Sequence, residues 1–160
     1  MPNVLFVCTG NLYRSPLAAA FFCKKLQEAG KSSGWFVDST GTWTVSGQPI
    51  SPATVQAARK FDINLEGQVA KLIDADQLAN ADLILVMENG HREALNIEFP
   101  FTLGKVYLIS EVVDQLTYDI PDPANSGQEI DIVASDLYKL VDRGFPAICR
   151  LVEASAFHKS

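Results

Sequence analysis

The chain has little cysteine: three residues in 160, Cys8, Cys23 and Cys149, with no CxxC pair and no disulfide framework. That count suits a reducing compartment and predicts a cytoplasmic protein. Histidine is as scarce. His91 and His158 have no second ligand at metal spacing, so both read as solvated surface side chains and no metal site is expected. Basic residues are outnumbered, 13 against 19 acidic, for a net charge of −6. A surplus of negative charge argues against nucleic acid as a partner. It also repels anionic substrates at long range, so any phosphate ester must be drawn in by local donors. Long hydrophobic runs are missing as well. The apolar stretch at Val4 is four residues long with no basic segment before it. Neither a signal peptide nor a membrane span is expected. Repeats, linkers and low-complexity segments are absent, and 160 residues suffice for one core. A single domain over residues 1–160 follows.

What is present centres on one stretch, Val4-Leu5-Phe6-Val7-Cys8-Thr9-Gly10-Asn11-Leu12-Tyr13-Arg14-Ser15-Pro16. The apolar residues read as a short buried strand. Ser15 suits a helix N-cap and Pro16 the first helical position. Cys8 therefore ends a strand on a tight loop that leads into a helix. Backbone N–H groups of residues 9 to 15 can curl into an anion-binding nest. The helix start adds orphan N–H groups and the positive end of its dipole. Gly10 allows positive φ and close approach to an anion. Arg14 offers a planar fork for two phosphate oxygens. Thr9, Gly10, Asn11, Leu12, Tyr13, Arg14 and Ser15 are the candidate phosphate-binding residues. All of this favours negative charge at Cys8, which predicts a thiolate nucleophile and phosphoryl transfer through a phosphocysteine.

The rest of the chain alternates strand and helix. A helix runs from Pro16 towards Gly30, and Trp35-Phe36-Val37 is a second strand. Residues 38 to 52 read as a loop rich in glycine, proline and hydroxyls. Ser51-Pro52 opens a helix to about Phe61. Asp74-Ala75-Asp76-Gln77 resembles a capping box. Residues 81 to 87 form a third strand, apolar enough to be buried on both faces. Asn89 caps a helix through about Asn96, and residues 105 to 109 form a fourth strand. A polar loop over 117 to 128, with Pro121, Pro123 and Gly127, precedes a helical pattern from Glu129. Gly144 and Pro146 predict a kink or break in that pattern. The fold class is α/β: a four-stranded, twisted parallel sheet with helices on both faces, a Rossmann-like three-layer arrangement. Ligands bind at the carboxyl ends of such strands. A leaving group also needs a proton donor. Asp119-Ile120-Pro121-Asp122-Pro123 supplies two carboxylates, and Pro123 holds Asp122 extended. Asp122 is the candidate general acid.

Val7 to Pro16 resembles the signature of low-molecular-weight protein tyrosine phosphatases, and Asp122-Pro123 resembles their late Asp-Pro loop. Asp38-Ser39-Thr40-Gly41-Thr42 and residues 81 to 87 sit where that family has similar segments, so the resemblance covers essentially the whole chain. It implies metal-independent hydrolysis of a phosphotyrosine protein or aryl phosphate, with no cofactor. Cys8, Arg14 and Asp122 would be catalytic. Ser15 would hydrogen-bond the Cys8 thiolate, and Asn11 and Ser39 would hold the loop in shape. Leu12, Tyr13 and Trp43 would line the substrate cleft, Trp43 having a core position as its alternative. Departures from the pattern are Tyr13 where many relatives carry a second cysteine, Ala19 for glutamate, Gln68 and Lys71 for histidine and arginine, and Ala124-Asn125 for two aromatics. Three rival readings stand beside this one. Protein-arginine phosphatases have threonine at the position of Leu12. Arsenate reductases of the same fold need further cysteines, and residues 82 to 98 contain none. An inactive phosphate-binding module would lack one of the three catalytic groups.

Overall fold

The structure, a computed structural model, describes residues 1–126 and 128–159. Gly127 of the polar loop and Ser160 at the end of the predicted domain lie outside them. Strand β1 is Asn3–Cys8, β2 is Phe36–Gly41, β3 is Leu83–Val86 and β4 is Val106–Leu108. They form one four-stranded sheet in the order β2-β1-β3-β4, with every pairing parallel. Because side chains alternate across a strand, β1 feeds two cores. Val4, Phe6 and Cys8 face helices α1 (Arg14–Glu28), α2 (Pro52–Arg59), α5 (Ile109–Asp114) and α6 (Ile130–Lys159). Leu5 and Val7 face the other side, with Leu78 of α3 (Ala75–Asn80) and Leu95 of α4 (Asn89–Glu98). The predicted three layers are therefore present, and Cys8 ends the inner strand β1 at its carboxyl edge.

Several ends differ from expectation for physical reasons. β2 runs on to Gly41, through residues read as loop, because Asp38, Ser39, Thr40 and Gly41 pair with Leu5, Phe6, Val7 and Cys8. Its polar side chains are matched inside: Thr40 Oγ1 donates to the Lys71 carbonyl at 2.8 Å, and the Asp38 carboxylate takes the Lys71 ammonium. Helix α1 starts at Arg14, so Ser15 is buried inside its first turn and is not the N-cap. At the other end, Gly30 at φ +68° closes α1: its N–H reaches Gln27 O at 3.1 Å and Lys31 N–H reaches Leu26 O at 2.8 Å. Ser51 and Asp74 do cap α2 and α3, accepting from Ala53 N at 3.3 Å and Gln77 N at 2.8 Å. The cap of α4 is Glu88, one residue before the predicted Asn89.

Helix α6 is unbroken through Gly144 and Pro146. Proline in a helix interior costs roughly 3 kcal/mol. Each fully buried apolar side chain returns about 1.5–3 kcal/mol, and α6 buries Val133, Leu137, Leu140, Val141, Ile148 and Val152. The packing outweighs the lost bond. Gly144 is a contact point: a Cβ there would lie 2.3 Å from a Val113 methyl of α5.

Candidate active site

The loop from β1 to α1 is held from behind by a hydrogen-bond chain. Asn11, fully buried, sits at φ +56°, a left-handed conformation that asparagine tolerates. Its Nδ2 donates to Ser15 Oγ at 2.8 Å and to Ser39 Oγ at 3.0 Å, while its Oδ1 accepts Lys71 N–H at 2.9 Å. Gly10 does not take the positive φ expected of it; that role falls to Asn11. Since Ser15 Oγ accepts from Asn11, its own proton is available for Cys8 Sγ at 2.9 Å, a nearer acceptor than Thr40 O at 3.4 Å. From outside, Thr54 Oγ1 and Ser51 N–H donate to Leu12 O at 2.7 and 3.4 Å. Thr42 N–H and Trp43 N–H donate to Cys8 O and Thr9 O at 2.9 and 3.0 Å. The loop geometry is thus fixed by β2, α2 and the Lys71 backbone as well as by its own sequence.

Arg14 is 1 % exposed and surrounded by acceptors. Nη1 donates to Glu88 Oε2 at 2.5 Å and to Ile120 O at 2.9 Å. Nη2 lies 3.4 Å from both Asp122 Oδ2 and Thr9 Oγ1. A buried guanidinium needs such partners, because an unpaired buried charge is strongly unfavourable. The Asp122 carboxylate is aimed by Ala124 N–H at 3.0 Å and Asn125 Nδ2 at 3.2 Å. The other carboxylate of that loop, Asp119, is exposed and accepts Asn89 N–H at 2.9 Å at the start of α4. Between them, Ile120 docks the loop: its N–H reaches Met87 O at 2.9 Å, at the end of β3.

His91 corrects the surface reading. It is 6 % exposed, and its Nε2 lies 2.8 Å from Thr9 Oγ1. Its Nδ1 accepts Glu88 N–H at 3.1 Å, completing a reciprocal cap with the Glu88 side chain. Burial, then the charge of Arg14, pushes His91 down from 6.5 to about 4. The ring is therefore neutral over most of the working range, with its proton on Nε2. His158 is exposed, as expected. Cys23 and Cys149 are free thiols held above the ordinary range, both chiefly by burial.

Cys8, Thr9, Asn11, Arg14, Ser15, Ser39 and Asp122 thus come together at one edge of the sheet. Leu12 and Tyr13 are half-buried at the loop, and Trp43 is 83 % exposed beside it, which removes the core alternative for Trp43. Sequence reasoning passed over Glu88, His91, Ile120 and the Lys71 backbone. A signal existed for one pair: Glu88 and His91 stand three apart at a helix start, the spacing of a capping box.

The sequence model of the family described as low molecular weight phosphotyrosine protein phosphatase matches residues 3–157. The chain belongs to that family. Among its relatives, the low molecular weight protein-tyrosine-phosphatase Wzb of Escherichia coli (strain K12) is 32% identical over 141 residues, covering 88% of each chain. The crystal structure of a low molecular weight protein tyrosine phosphatase from T. tengcongensis superimposes with a TM-score of 0.81 at 33% identity, covering 89% of this chain and 97% of that one. The YwlE arginine phosphatase from Geobacillus stearothermophilus superimposes with a TM-score of 0.80 at 26% identity, over 96% and 95% of the two chains. This low molecular weight phosphatase is a hydrolase with the four-stranded parallel sheet of those structures.

Proposed function

We propose that the protein dephosphorylates phosphotyrosine in proteins and related aryl phosphates, through a phosphocysteine and without a metal ion. The observation that carries this reading is the convergence of Cys8, Arg14 and Asp122, with Arg14 Nη2 3.4 Å from Asp122 Oδ2. Cys8 Sγ attacks phosphorus, and the bond from phosphorus to the phenolic oxygen breaks. Arg14 and the loop amides of residues 9 to 15 hold the equatorial oxygens as charge builds on them. Asp122 gives its proton to the departing phenol. It then takes a proton from water, the water oxygen attacks phosphorus, and the S–P bond breaks to release phosphate and the thiolate. Ser15, 2.9 Å from Sγ, stabilises the leaving thiolate. Asn11 and Ser39 are positioning residues that keep the nest open.

The substrate class rests on Leu12, half-buried in the loop, which presents an apolar wall suited to an aryl ring. Trp43, exposed on the neighbouring segment, supports the opposite wall. The free cysteines support a reducing, cytoplasmic setting, and among the described residues no helix is long and apolar enough to cross a membrane. The test is hydrolysis of p-nitrophenyl phosphate in EDTA at mildly acidic pH by wild type and Cys8→Ser. Turnover should survive the chelator and vanish in the variant. Turnover that persists in Cys8→Ser would remove the phosphocysteine. Faster turnover of phosphoarginine than of phosphotyrosine would overturn the substrate class.

A further inference from the structure

We propose that the Thr9 side-chain hydroxyl is itself a hydrogen-bond donor to the bound phosphoryl group, and that His91 is the positioning residue that aims it. The inference rests on the phosphoryl-transfer reading of the loop and adds to it a side-chain donor beside the backbone amides. A threonine hydroxyl has two lone pairs and one proton. One lone pair faces His91 Nε2 at 2.8 Å. That nitrogen must be the donor, because Nδ1 of the neutral ring is occupied as acceptor of Glu88 N–H at 3.1 Å. The second lone pair faces Arg14 Nη2 at 3.4 Å, which has only protons to offer. The hydroxyl proton is left with no acceptor among the described residues.

The location of that proton is informative. Thr9 directly follows Cys8, inside the anion loop, and is half-buried. Arg14 Nη2 stands 3.4 Å from both Thr9 Oγ1 and Asp122 Oδ2, so the hydroxyl shares the guanidinium with the proposed acid. An oxyanion gripped by Arg14 is the acceptor the geometry lacks. Packing alone does not call for a hydroxyl there, since valine fills the same volume. Nor does capping alone call for His91 to reach Thr9: the cap of α4 uses only Nδ1, and Nε2 is spent on the loop.

Two substitutions separate these roles. The Oδ1 of asparagine can replace Nδ1 but is too short to reach Thr9, whereas the amide of glutamine can replace the Nε2 donor. The experiment measures kcat and KM for p-nitrophenyl phosphate, inhibition by inorganic phosphate, and the thermal midpoint, for Thr9→Val, His91→Asn, His91→Gln and Thr9→Val/His91→Asn. Thr9→Val should lower the midpoint modestly, because the buried His91 Nε2–H loses its acceptor, while kcat/KM falls by about tenfold and phosphate inhibition weakens by a similar factor, as for loss of one bond to a charged group. His91→Asn should match it in activity, His91→Gln should stay within about threefold of wild type, and the double variant should be no worse than either single one. A wild-type kcat/KM for Thr9→Val overturns the proposal. So does rescue by His91→Asn instead of His91→Gln, or full additivity in the double variant. Failure of the underlying reading is seen separately, as residual turnover in Cys8→Ser.

Discussion

Replacing Gly41 by alanine should damage the active site from behind, without touching any chemical group. Gly41 ends β2 opposite Cys8, and its φ is not positive, so the constraint is space alone. A Cβ built there would lie 2.6 Å from Thr9 O, 3.0 Å from Asn11 N and 3.0 Å from Gly10 C, all backbone atoms of the anion loop. Ordinary contact begins at 3.4 Å, so the two backbones must part by about 0.8 Å, the difference from 2.6 Å. Strand β2 cannot retreat freely. Gly41 N–H is bonded to Lys71 O at 2.9 Å and Gly41 O to Ile73 N–H at 2.9 Å on its far side. The loop must give instead, together with the 2.9 Å bond from Thr42 N–H to Cys8 O. Overpacking of this kind costs about 1–3 kcal/mol. The entropy saved by removing a glycine offsets roughly 0.5–1 kcal/mol of that. Stability should fall by up to about 2.5 kcal/mol in urea or thermal unfolding. Activity should fall further, by about 10²-fold in kcat/KM, because a displacement near 1 Å spoils the alignment of the loop donors with phosphorus. Gly10→Ala is the stability control: its Cβ would meet only the Leu12 side chain, at 3.5 Å, and its φ is not positive, so the unfolding midpoint should stay the same or rise slightly. A Gly41→Ala protein with wild-type kcat/KM would refute the claim that β2 sets the loop shape.

The two carboxylates of the late loop should separate in turnover of phenyl phosphate. Asp122→Ala is expected to lose about 10²–10⁴-fold as the general acid, and Asp119→Ala only severalfold, since Asp119 takes the Asn89 N–H; equal losses would move the acid assignment. His91 gives a pH signature in stability. It faces Arg14 on α1, Glu88 on its own helix cap, and Asp119 and Asp122 on the acid loop, and it is held at about 4 against 6.5 when unfolded. Between those values the unfolded chain binds the extra proton, so stability is full above 6.5 and is lost as pH falls towards 4. At about 1.4 kcal/mol for each pH unit, the loss is roughly 3 kcal/mol; His91→Gln should flatten the midpoint-versus-pH curve between pH 4 and 6.5, and an unchanged slope would place the proton elsewhere. Gly144→Ala should destabilise by about 1–3 kcal/mol through its 2.3 Å clash with Val113, and Val113→Ala added to it should recover part of that loss.

The loop and its proposed nucleophile were legible because everything that defines them is local. Strand, cysteine, arginine and helix start follow one another within a dozen residues, and each carries its own pattern. The same holds for Ser51 and Asp74, whose capping signals are three or four residues long. What was misread depends on partners far away in sequence. Asp38 to Gly41 looks like a loop by composition and becomes a strand because β1 pairs with it and Lys71 satisfies its polar groups. His91 looks like a surface residue because nothing near it in sequence shows that Thr9, 82 positions away, will meet its Nε2.

Gly144 and Pro146 make the same point from the opposite side. Read locally, both weaken a helix, and the sum predicts a break. In the fold, the small size of Gly144 is what lets α5 approach α6, so the residue that lowers local propensity raises tertiary packing. Glu88 combines the two kinds of information. As a helix cap it is local, and its spacing to His91 is visible. As the partner of Arg14 at 2.5 Å it is long-range, joining the end of β3 to the start of α1. Asn11 and Ser39, which the resemblance marked as holding the loop, are bonded to each other and Asn11 to Ser15; the partners that local pattern did not show are the Lys71 N–H that donates to Asn11 and, for Arg14, Glu88 and the Ile120 carbonyl. Sequence pattern locates the groups proposed to react. The partners that fix their geometry are brought in by sheet topology, from β2 on one side and from the edges of β3 and α4 on the other.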